Sequence, residues 1–236
     1  MQKYQEERLT LIKEILPLLG ENFVLKGGTA LKLYYGLDRY SEDIDLDCKS
    51  SNMNFINRLK KHQSFKNWKI NIKKSTDTVF RAMIDYGSQS PQGAYPLKIE
   101  VSNRNKDALR NNLLKTINVA NVNVYDIEEL IKMKIFAFNG RDKIRDFYDL
   151  GFLLQNYPSH FNLERLFQIK ERIFYLGKEE LDLLLEHENK EHRLRINPHH
   201  TDQILDQISK LEKSFYPSQS LSNQSNHHIT KSQRKR

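Results

Sequence analysis

The chain holds one cysteine, Cys48, in 236 residues. A single thiol cannot close an internal disulfide, so a disulfide-stapled scaffold is excluded and a reducing compartment is expected. Long hydrophobic runs are missing too: no apolar stretch approaches the roughly 20 residues that span a bilayer. The opening Met1-Gln-Lys-Tyr-Gln-Glu-Glu-Arg8 lacks the charged-then-apolar pattern of a secretory signal. These absences make the cytoplasm the expected location. No internal repeat is visible, which leaves an ordinary globular architecture.

The hydrophobic fraction is 38% and the aromatic fraction 10%, enough for a real core. The length suits one large domain or two small ones. Lysine and arginine number 38 against 30 aspartates and glutamates, a formal net charge of +8. Such a balance favours polyanionic partners, nucleic acid or nucleotides first, although many basic proteins are merely soluble.

Apolar residues at helical spacing predict a helix over 4–19 that ends at Gly20, then a strand over 23–26 and a helix over 29–35. A second strand is expected over 44–48, and Ser50, Ser51 and Asn52 offer an N-cap for a helix over 53–62. Trp68, Ile70 and Ile72 alternate with polar residues, the mark of a half-buried strand. Strands over 77–86 and 97–102 flank a Gly/Ser/Pro/Gln-rich loop, and the two are expected to pair. Residues 103–118 read as a loop with a short helix, and 119–125 as a last strand. Asp126 caps a helix closing near Asn139-Gly140, followed by helices over 143–156, 162–175, 178–189 and 201–213. From Pro217 the chain turns to Ser, Asn, Gln and His and ends Lys231-Ser-Gln-Arg-Lys-Arg236, a composition expected to stay mobile.

Two stretches carry chemistry. Lys26-Gly-Gly-Thr-Ala-Leu31 puts two glycines and a hydroxyl between a strand and a helix. Bare backbone N–H groups at a helix start make a phosphate cradle, though a Gly-Gly turn is often only a turn. Arg39-Tyr-Ser-Glu-Asp-Ile-Asp-Leu46 places Asp43 and Asp45 on one face of a strand, roughly 6.6 Å apart, while Ile44 and Leu46 face the other way. Paired carboxylates can share a metal ion. The commoner meaning of such a pair is a solvated strand end, but the apolar strand and the preceding Gly-Gly turn favour chemistry. Asp47 continues that face as a less favoured ligand. Glu100, between Ile99 and Val101, is costly to bury without a partner. A metal ion is one partner; a solvated sheet face is the alternative.

Gly-Gly-Thr, Asp-Ile-Asp and a later Ile-Glu-Val resemble the DNA polymerase β-like nucleotidyltransferase superfamily. More closely, Lys26-Gly-Gly-Thr-Ala-Leu31, Arg39-x-Ser41-x-Asp43-Ile-Asp45-Leu46 and Lys134-x-x-Ala137-x-x-x-Arg141-x-Lys143-x-Arg145-Asp146-x-x-Asp149-Leu150 resemble the AbiEii/AbiGii toxin nucleotidyltransferases. The likeness covers about residues 20 to 155.

This resemblance implies an α+β fold, an N-terminal mixed sheet flanked by helices (1–125) with a helical C-terminal region (126–214) closing a cleft and a basic tail (215–236). It implies that Asp43, Asp45 and Glu100 hold magnesium, or manganese, with Glu100 as third ligand or base. Gly27, Gly28, Thr29, Arg39, Ser41, Lys134, Arg141 and Asp146 would serve the nucleoside triphosphate, with Lys134 also catalytic. For Arg145 and Asp149 a structural salt bridge is an equal expectation. The reaction implied is transfer of a nucleoside monophosphate to an acceptor hydroxyl, with the tRNA 3′ end favoured, by a toxin with a cognate antitoxin. An inactive nucleotide- or RNA-binding protein and a drug-modifying transferase are the alternatives.

Overall fold

The computed structural model describes residues 2–192, 194 and 199–216. Helix α1 (Lys3–Leu19) buries Leu9, Ile12, Ile15, Leu16 and Leu19, the apolar face its spacing predicts. Its Arg8 is buried as well; Nε bonds the Tyr86 hydroxyl and the guanidinium lies over the Tyr95 ring. That anchor fastens α1 to the loop before the central strands. Strand β1 (Phe23–Lys26) runs directly into α2 (Gly27–Tyr34), and β2 (Ile44–Cys48) returns beside it.

The expected helix over 53–62 shrinks to α3 (Ile56–Leu59). Asn52 and Asn54 each accept a bond from the backbone N–H two residues on, at 3.1 and 3.0 Å. Such side-chain turns compete with helix formation. They leave Met53 and Phe55 buried in the core outside any helix.

Strand β3 (Lys69–Ser75) forms where alternation predicts, but it is an edge strand and mostly exposed, with Ile72 50% accessible. The half-buried expectation fails there because only one neighbour covers it. Strand β4 (Val79–Asp85) follows; the two-residue strands β5 (Gln89–Ser90) and β6 (Gly93–Ala94) form a small hairpin, and β7 (Leu97–Ser102) pairs antiparallel with β4 as expected.

After the short helix α4 (Lys106–Arg110), the strand expected over 119–125 proves to be a hairpin of β8 (Thr116–Val119) and β9 (Val122–Tyr125). Its turn residues Ala120 and Asn121 have φ of 49° and 64°. Two positive φ values suit a hairpin turn, but Ala120-Asn121 is not the usual Asn-Gly signal for one.

The seven-stranded sheet runs β3-β4-β7-β2-β1-β9-β8. It is mixed: β2 pairs parallel with β7 and β1 parallel with β9, and the other pairs are antiparallel. Asp126 caps α5 (Ile127–Gly140) by accepting from the Glu128 N–H. Then come α6 (Ile144–Asn156), α7 (Leu163–Leu176), α8 (Lys178–His192) and α9 (His200–Ser214), as the periodicity predicts. Buried side chains from Leu9 to Ile208 form one contiguous core with no break at residue 126. No helix among the described residues is long and apolar enough to cross a membrane. The expected mobile tail from Pro217 lies outside the described residues.

Ala120 holds a left-handed conformation that costs an L-residue with a Cβ roughly 1 kcal/mol. Replacing the turn by Asn-Gly (Ala120→Asn with Asn121→Gly) is expected to stabilise the protein by about 1 kcal/mol, read from urea denaturation.

Candidate active site

The site's floor follows from strand register. Parallel pairing sets Asp45 of β2 opposite Glu100 of β7, and Asp47 opposite Ser102. Because side chains alternate, Asp43, Asp45 and Asp47 share a face with Lys98 and Glu100. Ile44, Leu46, Ile99 and Val101 point into the core. The flanking antiparallel strands add two cations to the same face: Lys26 of β1 opposite Asp45, and Arg81 of β4 opposite Glu100.

Above this floor is a cleft of about 460 Å³. Lys26, Gly27, Asp45, Asp47 and Glu100 line one side; Lys134, Phe136, Ala137, Arg141 and Asp146 line the other. Gly27 opens α2 at φ +74°, a conformation that favours glycine. A Cβ there would stand 3.4 Å from Asp45 Oδ2, so strand and helix start approach closely.

The carboxylates differ in their surroundings. Asp47 is fully buried and accepts from Lys26 Nζ at 2.5 Å, Asn105 Nδ2 at 2.8 Å and the Tyr125 hydroxyl at 2.8 Å. Burial first, then the Asp47 charge, pushes the Tyr125 phenol up, so it stays a donor. Asp47 therefore holds Lys26 at the cleft wall. Glu100 pairs with Arg81, and Asp43 with Lys98. Burial, with Glu42 and Asp45 nearby, raises the Asp43 carboxyl against the pull of Lys98. The Asp45 side chain makes no hydrogen bond or ion pair among the described residues.

Behind the opposite wall is a buried ion network. Arg39 grips Asp149 with two parallel bonds, Nε–Oδ1 at 2.6 Å and Nη2–Oδ2 at 2.7 Å. Lys134 Nζ reaches Asp149 at 2.5 Å and Asp146 at 2.8 Å, and Arg141 Nε reaches Asp146 at 2.7 Å. Burial alone would raise both carboxyls. Lys134 with Arg141 at Asp146, and Lys134 with Arg39 at Asp149, outweigh it and hold both below the usual carboxylate range.

The structure thus gathers Gly27, Asp45, Glu100, Lys134, Arg141 and Asp146 around one cleft. Gly28, Thr29, Arg39, Ser41 and Asp43 do not line it. Thr29 is buried, with its hydroxyl bonded to the Asp43 carbonyl and to Ser41 Oγ. A Cβ at Gly28 would fall 2.8 Å from Arg39 Nη2 and 2.9 Å from Ser41 Oγ. The absent side chain at Gly28 makes room for those two residues. Arg145 bonds Glu188 at 3.0 Å. Sequence reasoning passed over Lys26, Lys98 and Asn105. Lys98 lies two residues before Glu100 on a strand, so its shared face was readable; nothing in the sequence marks Asn105.

The profile of the AbiEii nucleotidyl transferase toxins of type IV toxin–antitoxin systems matches residues 11–221. The chain belongs to the AbiEii toxin family. Like the fold, this makes it a nucleotidyltransferase. A crystal structure from H. pylori, named as a candidate nucleotidyltransferase, superposes with a TM-score of 0.75 at 28% identity, covering 91% of this chain and 97% of that one. JHP933 from Helicobacter pylori superposes at 0.72 with 30% identity, covering 92% and 97%. No curated protein sequence matches this chain.

In this AbiEii-family chain, Arg39→Met would leave Asp149 buried with Lys134 alone. Stability at neutral pH is expected to fall by about 3 kcal/mol. The pairing lowers the folded-state value of Asp149, so its contribution is complete above the unfolded carboxylate value near about pH 4 and is lost as pH falls through the folded one. The gap between wild type and variant in urea denaturation should narrow steadily with acid. A gap independent of pH would mean that the pair contributes packing rather than charge.

Proposed function

We propose that this AbiEii-family toxin transfers a nucleoside monophosphate from a nucleoside triphosphate to an acceptor hydroxyl, the tRNA 3′ end favoured, in a magnesium-dependent reaction in the cytoplasm that a cognate antitoxin protein restrains. One observation carries the reading: Asp45 and Glu100 face Lys134 and Arg141 across a single cleft, with Lys26 beside them.

The floor fits a magnesium ion on two counts. Its donors are all carboxylate oxygens on adjacent strands, the ligands a hard cation takes. A cation already stands among them, since the Lys98 ammonium pairs with Asp43 and feels the charges of Asp45 and Glu100. Among the described residues no three such groups yet converge on one point. Asp43, Asp45 and Glu100 would hold the ion once Lys98 and Arg81 turn aside. The chemistry magnesium supplies there is charge neutralisation on the phosphates and activation of the attacking hydroxyl; manganese can substitute.

The chain's own groups do the rest. Lys26, fixed by Asp47, and Arg141, aimed by Asp146, bind the triphosphate; Lys134, fixed by Asp146 and Asp149, supports it from α5. The acceptor oxygen attacks the α-phosphorus, the α–β phosphoanhydride bond breaks and pyrophosphate leaves, while the hydroxyl proton passes to a floor carboxylate or to water. The net charge of +8 suits a nucleic-acid acceptor. The presence of all three candidate ligands, Asp43, Asp45 and Glu100, favours catalysis over binding alone.

Incubation with each labelled nucleoside triphosphate, magnesium and total RNA should move label into RNA, and Asp45→Ala should lose at least about a hundredfold of that rate. Absence of transfer to RNA, protein or small acceptors with all four nucleotides would overturn the proposal. Lys26→Met should weaken binding of a non-hydrolysable triphosphate by about tenfold, measured calorimetrically.

A further inference from the structure

Lys98 occupies ground that a divalent ion needs. It lies two residues before Glu100 on β7, and extending the parallel register sets it opposite Asp43, as Glu100 lies opposite Asp45. Its ammonium ion-pairs with Asp43, and the two side chains are 31% and 27% exposed. Asp45 and Glu100 share the same sheet face as this pair. Arg81 covers Glu100 from the far side. Carboxylates packed this closely repel one another, and an internal cation relieves that repulsion.

We propose that Lys98 is the internal counter-ion of the carboxylate floor, displaced when a divalent ion enters, so that the ion is held well only when a triphosphate accompanies it. The proposal rests on the magnesium-dependent reading given above. A lysine is suited to this task because its ammonium is a compact charge on a flexible stem, and this one is part-exposed and able to swing away. The fraction of molecules whose floor is free of Lys98 sets the apparent metal affinity. A triphosphate supplies further oxygen ligands to the ion and a new anionic partner for the released ammonium. Metal and nucleotide then tighten each other's binding reciprocally.

Manganese binding to the full chain, followed by electron paramagnetic resonance with and without a non-hydrolysable triphosphate, tests this. Without nucleotide, Lys98→Met should bind manganese about tenfold more tightly than wild type, while Lys98→Arg should not. The triphosphate should tighten manganese binding markedly in wild type and much less in Lys98→Met. Circular dichroism melts confirm that each variant is folded; if Lys98→Met is not, Lys98→Gln carries the same comparison. Equal or weaker binding by the folded neutral variant, with binding lost in Asp45→Asn, would overturn the role of Lys98 and leave the metal site standing. No manganese binding by any form, with or without nucleotide, would overturn both.

Discussion

Arg39 and Asp149 meet through two parallel hydrogen bonds in a position closed to solvent, and the arrangement of the cleft depends on that contact. Arg39 belongs to the segment between α2 and β2; Asp149 belongs to α6. Their pairing fixes the helical wall against the loop that leads into the carboxylate strand. Lys134 then shares Asp149 and Asp146, and Arg141 completes the series. Three cations meet two carboxylates, so the network carries one surplus positive charge next to the cleft. A buried pair of this kind adds little net stability over a well-packed apolar core. Its value here is positional, because each charge has few other places to go. Gly28 belongs to the same constraint, since any side chain there would intrude on Arg39.

Asp45 and Asp47 show how environment divides like residues. Both point from the same strand face, two residues apart. Asp47 meets Tyr125, Asn105 and Lys26 and is saturated with donors. Asp45 faces the helix start at Gly27 and meets no such group among the described residues. The first becomes scaffold that holds a lysine, and the second stays available to chemistry.

Much of this arrangement is legible in the amino-acid sequence. Period-two alternation around Ile44, Leu46, Ile99 and Val101 required their acidic neighbours to share the other face. Helical periodicity put Lys134 on the helix of the opposite wall, whereas Arg141, seven residues on, lies just past that helix in extended conformation. What could not be read were the long-range partners. Arg39 and Asp149 are separated by 110 positions, and the family resemblance that names Arg39 for the triphosphate does not reveal that its guanidinium is paired with Asp149. The lost helix turned on local competition: Asn52 and Asn54 were read as cap and helix, yet both make side-chain turns. The β8–β9 hairpin was hidden because Ala-Asn is a poor advertisement for a turn.

The parallel pairing of β2 with β7 has a consequence for how the protein is made. Parallel neighbours need a long crossover, and the whole β3–β4 hairpin is spun out between Asp45 and Glu100. A ribosome therefore releases the first carboxylates well before the strand that joins them, and before Lys134 and Asp149. A product ending ahead of α5 carries the acidic floor without Lys134 and Arg141 above it. The two walls of the cleft are thus brought together only after α5 and α6 have both been made.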